Sequence, residues 1–318
     1  LETAEFLDDD PETMVAEPLE SYESPPEDLE NLVPVAGGFF AASNGKEVCF
    51  SQPWLPYSWP TKYRMTVHDD VVALAPSGNE VLAVTKGNPY LFTGSDPEYI
   101  SQARIMLNQS CVSKRGVAQV GNLVLYPSPD GLVAIEGAQA RVLTANHYAR
   151  EDWQAIDPDS LIATAHDGRY YGFSGGTAYI IDIGDRWRMV TTATGTPAGL
   201  FSDLRTDTLY LIEGSNITTW GTGSDREFVW TSKAWWSPRP LAWNCAKVVA
   251  ESYPAAPNAI TLTFYADGAE AISIDVLSGR GFRLPATRPE HEWQVKITSS
   301  VAIDEVVVST SMAGLNAR

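Results

Sequence analysis

Cysteine is scarce. Cys49, Cys111 and Cys245 are the only three, and an odd number so widely separated cannot close a disulfide framework. We read them as buried, small apolar residues of a protein assembled in a reducing cytoplasm. Methionine and long runs of Ala, Leu, Glu and Lys, the mark of helices, are also few. No run of about 18 apolar residues exists to make a membrane-spanning helix, and no basic stretch leads into an apolar one to make a signal peptide. The chain begins at Leu1, which reads as the start of an ordered or processed remainder of a longer protein. Cations are in deficit, with 22 Lys and Arg against 40 Asp and Glu and a net charge of −18. Nucleic acids and anionic membranes are gripped by cationic side chains that displace counterions, so specific nucleic-acid binding is excluded. A channel through which DNA slides without sticking remains compatible with that charge.

Catalytic patterns are missing too. His68, His147, His166 and His291 have no partner four residues away and no neighbouring cysteine pair, so no metal site declares itself. There is no Gly-x-Ser-x-Gly elbow, no phosphate-cradling Gly-rich loop with Lys and no Cys-x-x-Cys. Neither a cofactor nor an enzymatic activity is expected. A polysaccharide-degrading site would need two carboxyl groups flanking a sugar bond, for which Asp69, Asp70, Asp152 and Asp203 are acids near strand ends. Ser128-Pro129-Asp130-Gly131 is similar to the Asp-bearing turn of sialidases, but Leu132-Val133 stands where Thr-Trp is expected. Turn formation accounts for Asp130 equally well.

What is present favours strands. The chain is 44% hydrophobic, with 10 Trp and 13 Tyr, while 24 Gly and 21 Pro are spread along it as turn residues are. Residues 1–33 hold twelve Asp or Glu and no Lys or Arg, leaving −6 for everything after them. With Ser24-Pro25-Pro26-Glu27-Asp28 at its centre, this segment reads as an extended connector, either a solvated tail or a strap on a surface.

From residue 34 a polar turn and an apolar strand recur together. Asn44-Gly45 precedes Val48-Cys49-Phe50, Gly78-Asn79 precedes Val81–Val84, and Gly121-Asn122 precedes Leu123–Tyr126. Asp167-Gly168 precedes Tyr170–Phe173, and Asp207 precedes Leu209–Ile212. Such turns accept positive φ and match strand twist, so each predicts a hairpin. Positions 45, 78, 121, 168 and 207 are spaced by 33, 43, 47 and 39 residues, the period of a four-stranded propeller blade. The spacing predicts a β-propeller of about five or more blades over 34–224. Asp96-Pro97-Glu98 and Ile105-Met106-Leu107 predict a short helix inserted between blades.

After Gly223 the period stops. Alternating strands at 228–233, 245–250, 260–265, 272–276, 293–297 and 306–308 predict a C-terminal β-sandwich over 225–318. Candidate interface or binding residues are aromatic. Trp54, Tyr57 and Trp59, set among Pro53, Pro56 and Pro60, suggest a sugar-stacking platform, an interface hot spot, or core packing that closes a blade. Trp235 and Trp236 are adjacent in a strand and point to opposite faces, so at most one can be core.

Taken in order, several stretches cover nearly everything after residue 30. They are Val48–Ser51 through Trp54–Tyr57 to Trp59-Pro60, then Thr85–Tyr90, Cys111–Arg115, Tyr126 with Ser128–Leu132, and Trp153 before Asp167–Tyr171. Trp230–Lys233, Phe282–Pro285 and Trp293 complete the set. As a set they resemble a family of phage and prophage virion proteins, the large tail components of short-tailed and related phages. The resemblance implies a structural role in a tail nozzle or hub. Its partners would be copies of itself in a ring, the portal or adaptor side, fibres and, as an alternative, a host-surface glycan receptor. It implies location in the virion tail after assembly in the bacterial cytoplasm, and no catalytic residue is carried over.

Overall fold

The computed structural model describes residues 23–77, 79–183, 188–223 and 226–315. Most of the acidic segment, residues 1–22, therefore lies outside the described residues, as does Gly78 of the second turn. The chain divides into two units, Leu1–Trp220 and Gly221–Arg318.

Five antiparallel sheets follow one another in the first unit, each made of consecutive strands. The first holds β1 (Glu30–Val35), β2 (Phe39–Asn44), β3 (Glu47–Phe50) and β4 (Arg64–Thr66). The second holds β5 (Val71–Ser77), β6 (Glu80–Thr85), β7 (Tyr90–Thr93) and β8 (Ser101–Arg104). The third holds β9 (Ala118–Val120), β10 (Leu123–Ser128), β11 (Gly131–Glu136) and β12 (Gln139–Val142). The fourth holds β13 (Ile162–His166), β14 (Arg169–Ser174), β15 (Thr177–Asp182) and β16 (Arg188–Ala193). The fifth has three strands, β17 (Gly199–Asp203), β18 (Thr208–Glu213) and β19 (Asn216–Thr219).

The turn chemistry works as its residues require. Gly45, Gly121, Asp167, Gly168 and Asp207 all adopt positive φ between strands. One expected correspondence shifts: Gly45 joins β2 to β3, whereas the turns at 121, 168 and 207 join the first two strands of their sheets. The equivalent turn of the first sheet is Gly37-Gly38, with φ of 104° and 79°. That offset explains the short first step of the repeat.

Strand alternation ties the sheets together. Along β6, Val81 and Ala83 face a core shared with Phe39, Phe50 and Phe92, while Leu82 and Val84 face another shared with Tyr126 and Val133. Along β10, Val124 and Tyr126 join that second core, and Leu125 enters a third with Leu132, Trp153 and Tyr170. Along β14, Tyr170 belongs to the third core, while Tyr171 and Phe173 join Leu209 and Leu211 in a fourth. Successive side chains on a strand point to opposite faces, so each middle sheet is apolar on both sides and serves two seams. Consecutive antiparallel meanders stacked in this way are β-propeller blades.

Polar ties cross the unit as well. Ser113 Oγ donates to the Leu161 carbonyl at 2.7 Å and Tyr170 OH to the Gly116 carbonyl at 2.9 Å. Lys114 pairs with Glu30 at 2.8 Å, and the neighbouring Arg115 donates to the Ala198 carbonyl. One dibasic step before the third sheet thus reaches the entry strand of the first and the residue that leads into the fifth.

Two expectations need correction. Asp96 does cap a turn, accepting from the Glu98 N–H at 2.8 Å, but only the three residues Pro97–Tyr99 form a 3-10 turn, and it lies between β7 and β8 inside the second sheet. Ile105–Leu107 is not helical. β8 follows at once and completes the sheet, leaving no room to propagate a helix. The acidic connector also ends before 33, because Glu30–Val35 is β1. Its described part is a strap on the first sheet: the Trp59 N–H donates to the Glu23 carbonyl at 2.8 Å, Asn44 Nδ2 to the Glu27 carbonyl at 3.1 Å, and Leu29 packs with Ala42, Cys49 and Trp59.

The second unit has two sheets on one core. β20 (Phe228–Thr231) and β21 (Trp235–Leu241) pair with opposite ends of β26 (Glu290–Ser299), which continues to β23 (Ile260–Ala266) and β24 (Ala269–Val276). β22 (Cys245–Ala250) lies between β25 (Phe282–Arg283) and β27 (Ile303–Ser309). Val248 of one sheet shares a core with Leu262, Phe264, Trp293 and Ile297 of the other.

The short helix α1 (Arg150–Gln154) places Trp153 in the third seam, where its Nε1–H donates to the Ser128 carbonyl at 2.8 Å. Trp153→Ala removes both the buried ring and that bond, and should destabilise the first unit by about 3–5 kcal/mol. Urea unfolding followed by circular dichroism measures this. A loss below about 1 kcal/mol would show that Trp153 does not hold the seam.

Candidate functional site

The loop from Ser51 to Pro60 leaves β3 and is locked onto the first sheet. The Ser51 N–H donates to the Phe40 carbonyl at 2.9 Å and the Phe40 N–H to Ser51 Oγ at 2.9 Å. Within the loop, the Gln52 N–H donates to the Ser58 carbonyl at 2.9 Å and Ser58 Oγ to Gln52 Oε1 at 2.8 Å. This frame separates the three aromatic candidates. Trp59 is 3% exposed and buried against Ala42 and Cys49, with its Nε1–H on the Pro56 carbonyl at 2.8 Å. It closes the free face of the first sheet and is unavailable to a ligand, so Trp54, Tyr57 and Trp59 do not make one platform.

Trp54 and Tyr57 point outward, 80% and 53% exposed. Trp54 has φ of 63°, a left-handed conformation uncommon for a bulky residue. Its N–H donates to the Gly38 carbonyl at 2.7 Å, and its indole lies on Gly38, where an added Cβ would meet ring atoms at 2.7–2.8 Å. A side chain at Gly37 would meet the Ser95 carbonyl at 2.6 Å. The turn before the exposed Tyr99 therefore abuts the turn that supports Trp54. Tyr99 stands apart in the sequence from any aromatic cluster and gives no signal there.

Trp235 and Trp236 lie on the outer edge of the five-stranded sheet, 39% and 67% exposed, so neither is core. Trp236 stacks on His291 with centroids 5.9 Å apart, and His291 Nδ1 donates to the Ser237 carbonyl at 2.8 Å. β20 continues the same edge with Phe228, Val229 and Trp230, the last 49% exposed. Buried Ser232 joins the two segments by exchanging bonds with Val295, its N–H reaching that carbonyl at 2.8 Å and its Oγ accepting from that N–H at 3.0 Å. Among residues 228–236 only Lys233 is charged. The opposite edge, β24, carries Glu270 and Asp275, the protection that exposed edges normally have.

A third surface was not legible in advance. On the fifth sheet Leu209 and Leu211 face the fourth core, and the other face carries Phe201, Tyr210, Ile212 and Ile217. Phe201 and Tyr210 stack 6.4 Å apart, while Phe201, Ile212 and Ile217 are exposed.

Asp152 lies in the first turn of α1, and the other acidic candidates serve turns and ion pairs. Asp69 pairs with His68 at 3.1 Å and Asp70 with Lys86 at 3.1 Å. Asp130 accepts from Gln109 Nε2 at 2.7 Å and pairs with Arg150 at 3.1 Å. The Arg205 N–H and the Thr206 hydroxyl, both donating to Asp203, hold its carboxyl below the usual range. A cleft of about 400 Å³ on the first unit is lined by residues such as Ala118, Thr164, Leu200 and Leu204, without a carboxylate. Among the described residues no three His, Cys, Asp or Glu side chains converge as metal ligands, and no helix is long and apolar enough to cross a membrane.

No known protein family matches the chain, and no curated protein matches it. Solved structures with some likeness include the Pan2 WD40 domain of Neurospora crassa, at 10% identity and a TM-score of 0.37, with 63% of this chain and 59% of that one covered. Another is the β-propeller domain of Cps50 (Swd1) from Myceliophteria thermophila, at 14% identity and a TM-score of 0.36, with 86% and 99% covered. A third is PorZ of Porphyromonas gingivalis, a surface component of the type-IX secretion system, at 12% identity and a TM-score of 0.37, with 78% and 33% covered. The chain thus spans about three fifths of the Pan2 domain and one third of PorZ. The blade arrangement itself rests on the five sheets and the four cores between them.

All three cysteines are buried and free. Burial pushes the Cys49 thiol up to about 11 and the Cys111 thiol up to about 12. A folded-state pKa raised above the ordinary thiol value of 9.0 contributes stability that is complete below that value and is lost as pH rises through the folded pKa. Between pH 9 and 12 the chain should therefore lose stability, and a thiol reagent at pH 8 should label Cys49 and Cys111 only after unfolding. Rapid labelling of both in the native state would contradict their placement.

Proposed function

We propose that the chain is a structural component of a bacteriophage virion, a tail nozzle or hub subunit forming part of a symmetric ring through which DNA passes. Its second unit, two sheets on a shared core, reads as a β-sandwich that docks to neighbouring tail proteins. The observation that carries this reading is the aromatic stretch of the β20 and β21 edge, where Phe228, Trp230, Trp235 and Trp236 stand in solvent and Lys233 is the one charge before the Pro238-Arg239-Pro240 end of β21. An exposed, apolar sheet edge associates unless it is covered, which suits a chain whose working state is an assembly. The motif stretches add support. Ser128, Trp153 and the Cys111–Arg115 stretch, which carry the resemblance to phage tail proteins, are staples of a stiff stack. The net −6 of the residues after 33 suits a passage that DNA traverses without adhering. Ringed copies would meet through a heterologous contact that closes by rotation.

Purified virions of the phage or prophage encoding the chain should contain it in stoichiometric amount, with density coaxial with the portal. In solution, Trp230→Lys and Trp236→Asp should weaken self-association or docking to tail partners at least about tenfold, leaving the melting temperature near that of the parent. Sedimentation velocity over a concentration series measures this. Absence of the chain from virions, or an association indifferent to both substitutions, would end the proposal.

A further inference from the structure

We infer that Trp54 is the floor of a saccharide-binding site on the first unit, its exposed indole face receiving the apolar face of a neutral pyranose ring. The inference is independent of the assembly reading. It begins with how the ring is held. One indole face lies on the Gly38 backbone so closely that no side chain fits between them, and the Trp54 N–H is fixed to the Gly38 carbonyl at 2.7 Å. Trp54 is 80% exposed although its backbone is tied to Gly38 and its ring rests on that glycine. A bulky residue in left-handed conformation costs about 1–3 kcal/mol and persists where the surroundings impose it. Here the imposing elements are two consecutive glycines at positive φ and a loop pinned by Gln52 and Ser58.

Such a ring is preorganised, and a ligand that stacks on it loses little side-chain entropy. The choice of ligand follows from what surrounds it. The Gly38 and Gln52 carbonyls are taken by the Trp54 and Leu55 N–H groups, but the side-chain amide of Gln52 and the hydroxyl of exposed Ser95, whose carbonyl lies against Gly37, add polar groups around the ring. Tyr57 and Tyr99, both exposed, bring hydroxyl groups to the same loops. A nucleobase also stacks on indole, but its phosphates require cations, and residues 51–60 around the indole hold no Lys or Arg. A neutral sugar needs one flat apolar face and scattered polar partners, and the loop has both. Trp59 is excluded from the site by its burial.

The test titrates the intact chain with cellopentaose, maltopentaose and chitopentaose up to ~10 mM, reading tryptophan fluorescence and ligand saturation-transfer NMR. At least one should bind. Trp54→Ala should weaken that binding tenfold or more, Trp54→Phe should weaken it less, and Trp236→Ala should leave it unchanged. Thermal melts of each variant confirm folding, and Trp54→Phe keeps the test valid should the alanine variant misfold. Binding by none of the three sugars, or full binding by folded Trp54→Ala, would overturn the inference. Loss of self-association in Trp54→Ala without any sugar response would assign the indole to a protein contact, and would overturn it equally.

Discussion

Everything in the first unit depends on sheets that cannot bury themselves. A meander of four short strands has two faces, and β6, β10 and β14 are apolar on both. Leu82 and Val81 are adjacent in sequence and belong to different cores, as do Leu125 and Tyr126. Each seam therefore exists only while two neighbouring sheets are folded. The aromatic contacts reinforce this: Phe50 of the first sheet meets Phe92 of the second edge-on at 5.8 Å, and Tyr170 of the fourth reaches the Gly116 carbonyl before the third. The consequence is stiffness along the stack.

A stack of this kind has two ends, and they are treated differently. The free face of the first sheet is closed by its own chain, with Leu29 and Trp59 laid over Ala42 and Cys49. The free face of the fifth carries Phe201, Ile212 and Ile217 in solvent. In the second unit one sheet edge is charged and the other aromatic. Surfaces left apolar beside surfaces that are protected describe a subunit with defined places for contact, which is the physical content of the assembly reading.

The hairpin period was legible because positive-φ turns favour Gly, Asp or Asn, and Asn44-Gly45, Gly121-Asn122 and Asp167-Gly168 announce themselves. Its phase in the first sheet was not, because Gly37-Gly38 resembles a linker until the strands on either side are known. The aromatic loop was legible only as a cluster. Burial sorts its members: Trp59, with a polar tip that finds the Pro56 carbonyl, goes inward, and Trp54, pinned to Gly38, stays out. No local pattern distinguishes the two, since the deciding contacts come from Glu23, Gly38 and Ala42, remote in the chain. The 3-10 turn at Pro97 was misjudged in length for a related reason: Asp96 and Pro97 specify where a helix starts, whereas tertiary pairing of β8 decides where it stops.

Native-state hydrogen exchange tests the central claim, that the sheets of the first unit stand or fall with their neighbours. Amides of β6, β10 and β14 should share one opening free energy, equal to that of global unfolding of the unit, while β19 exchanges faster. Separate opening energies for these three strands, each sheet exchanging on its own, would contradict it.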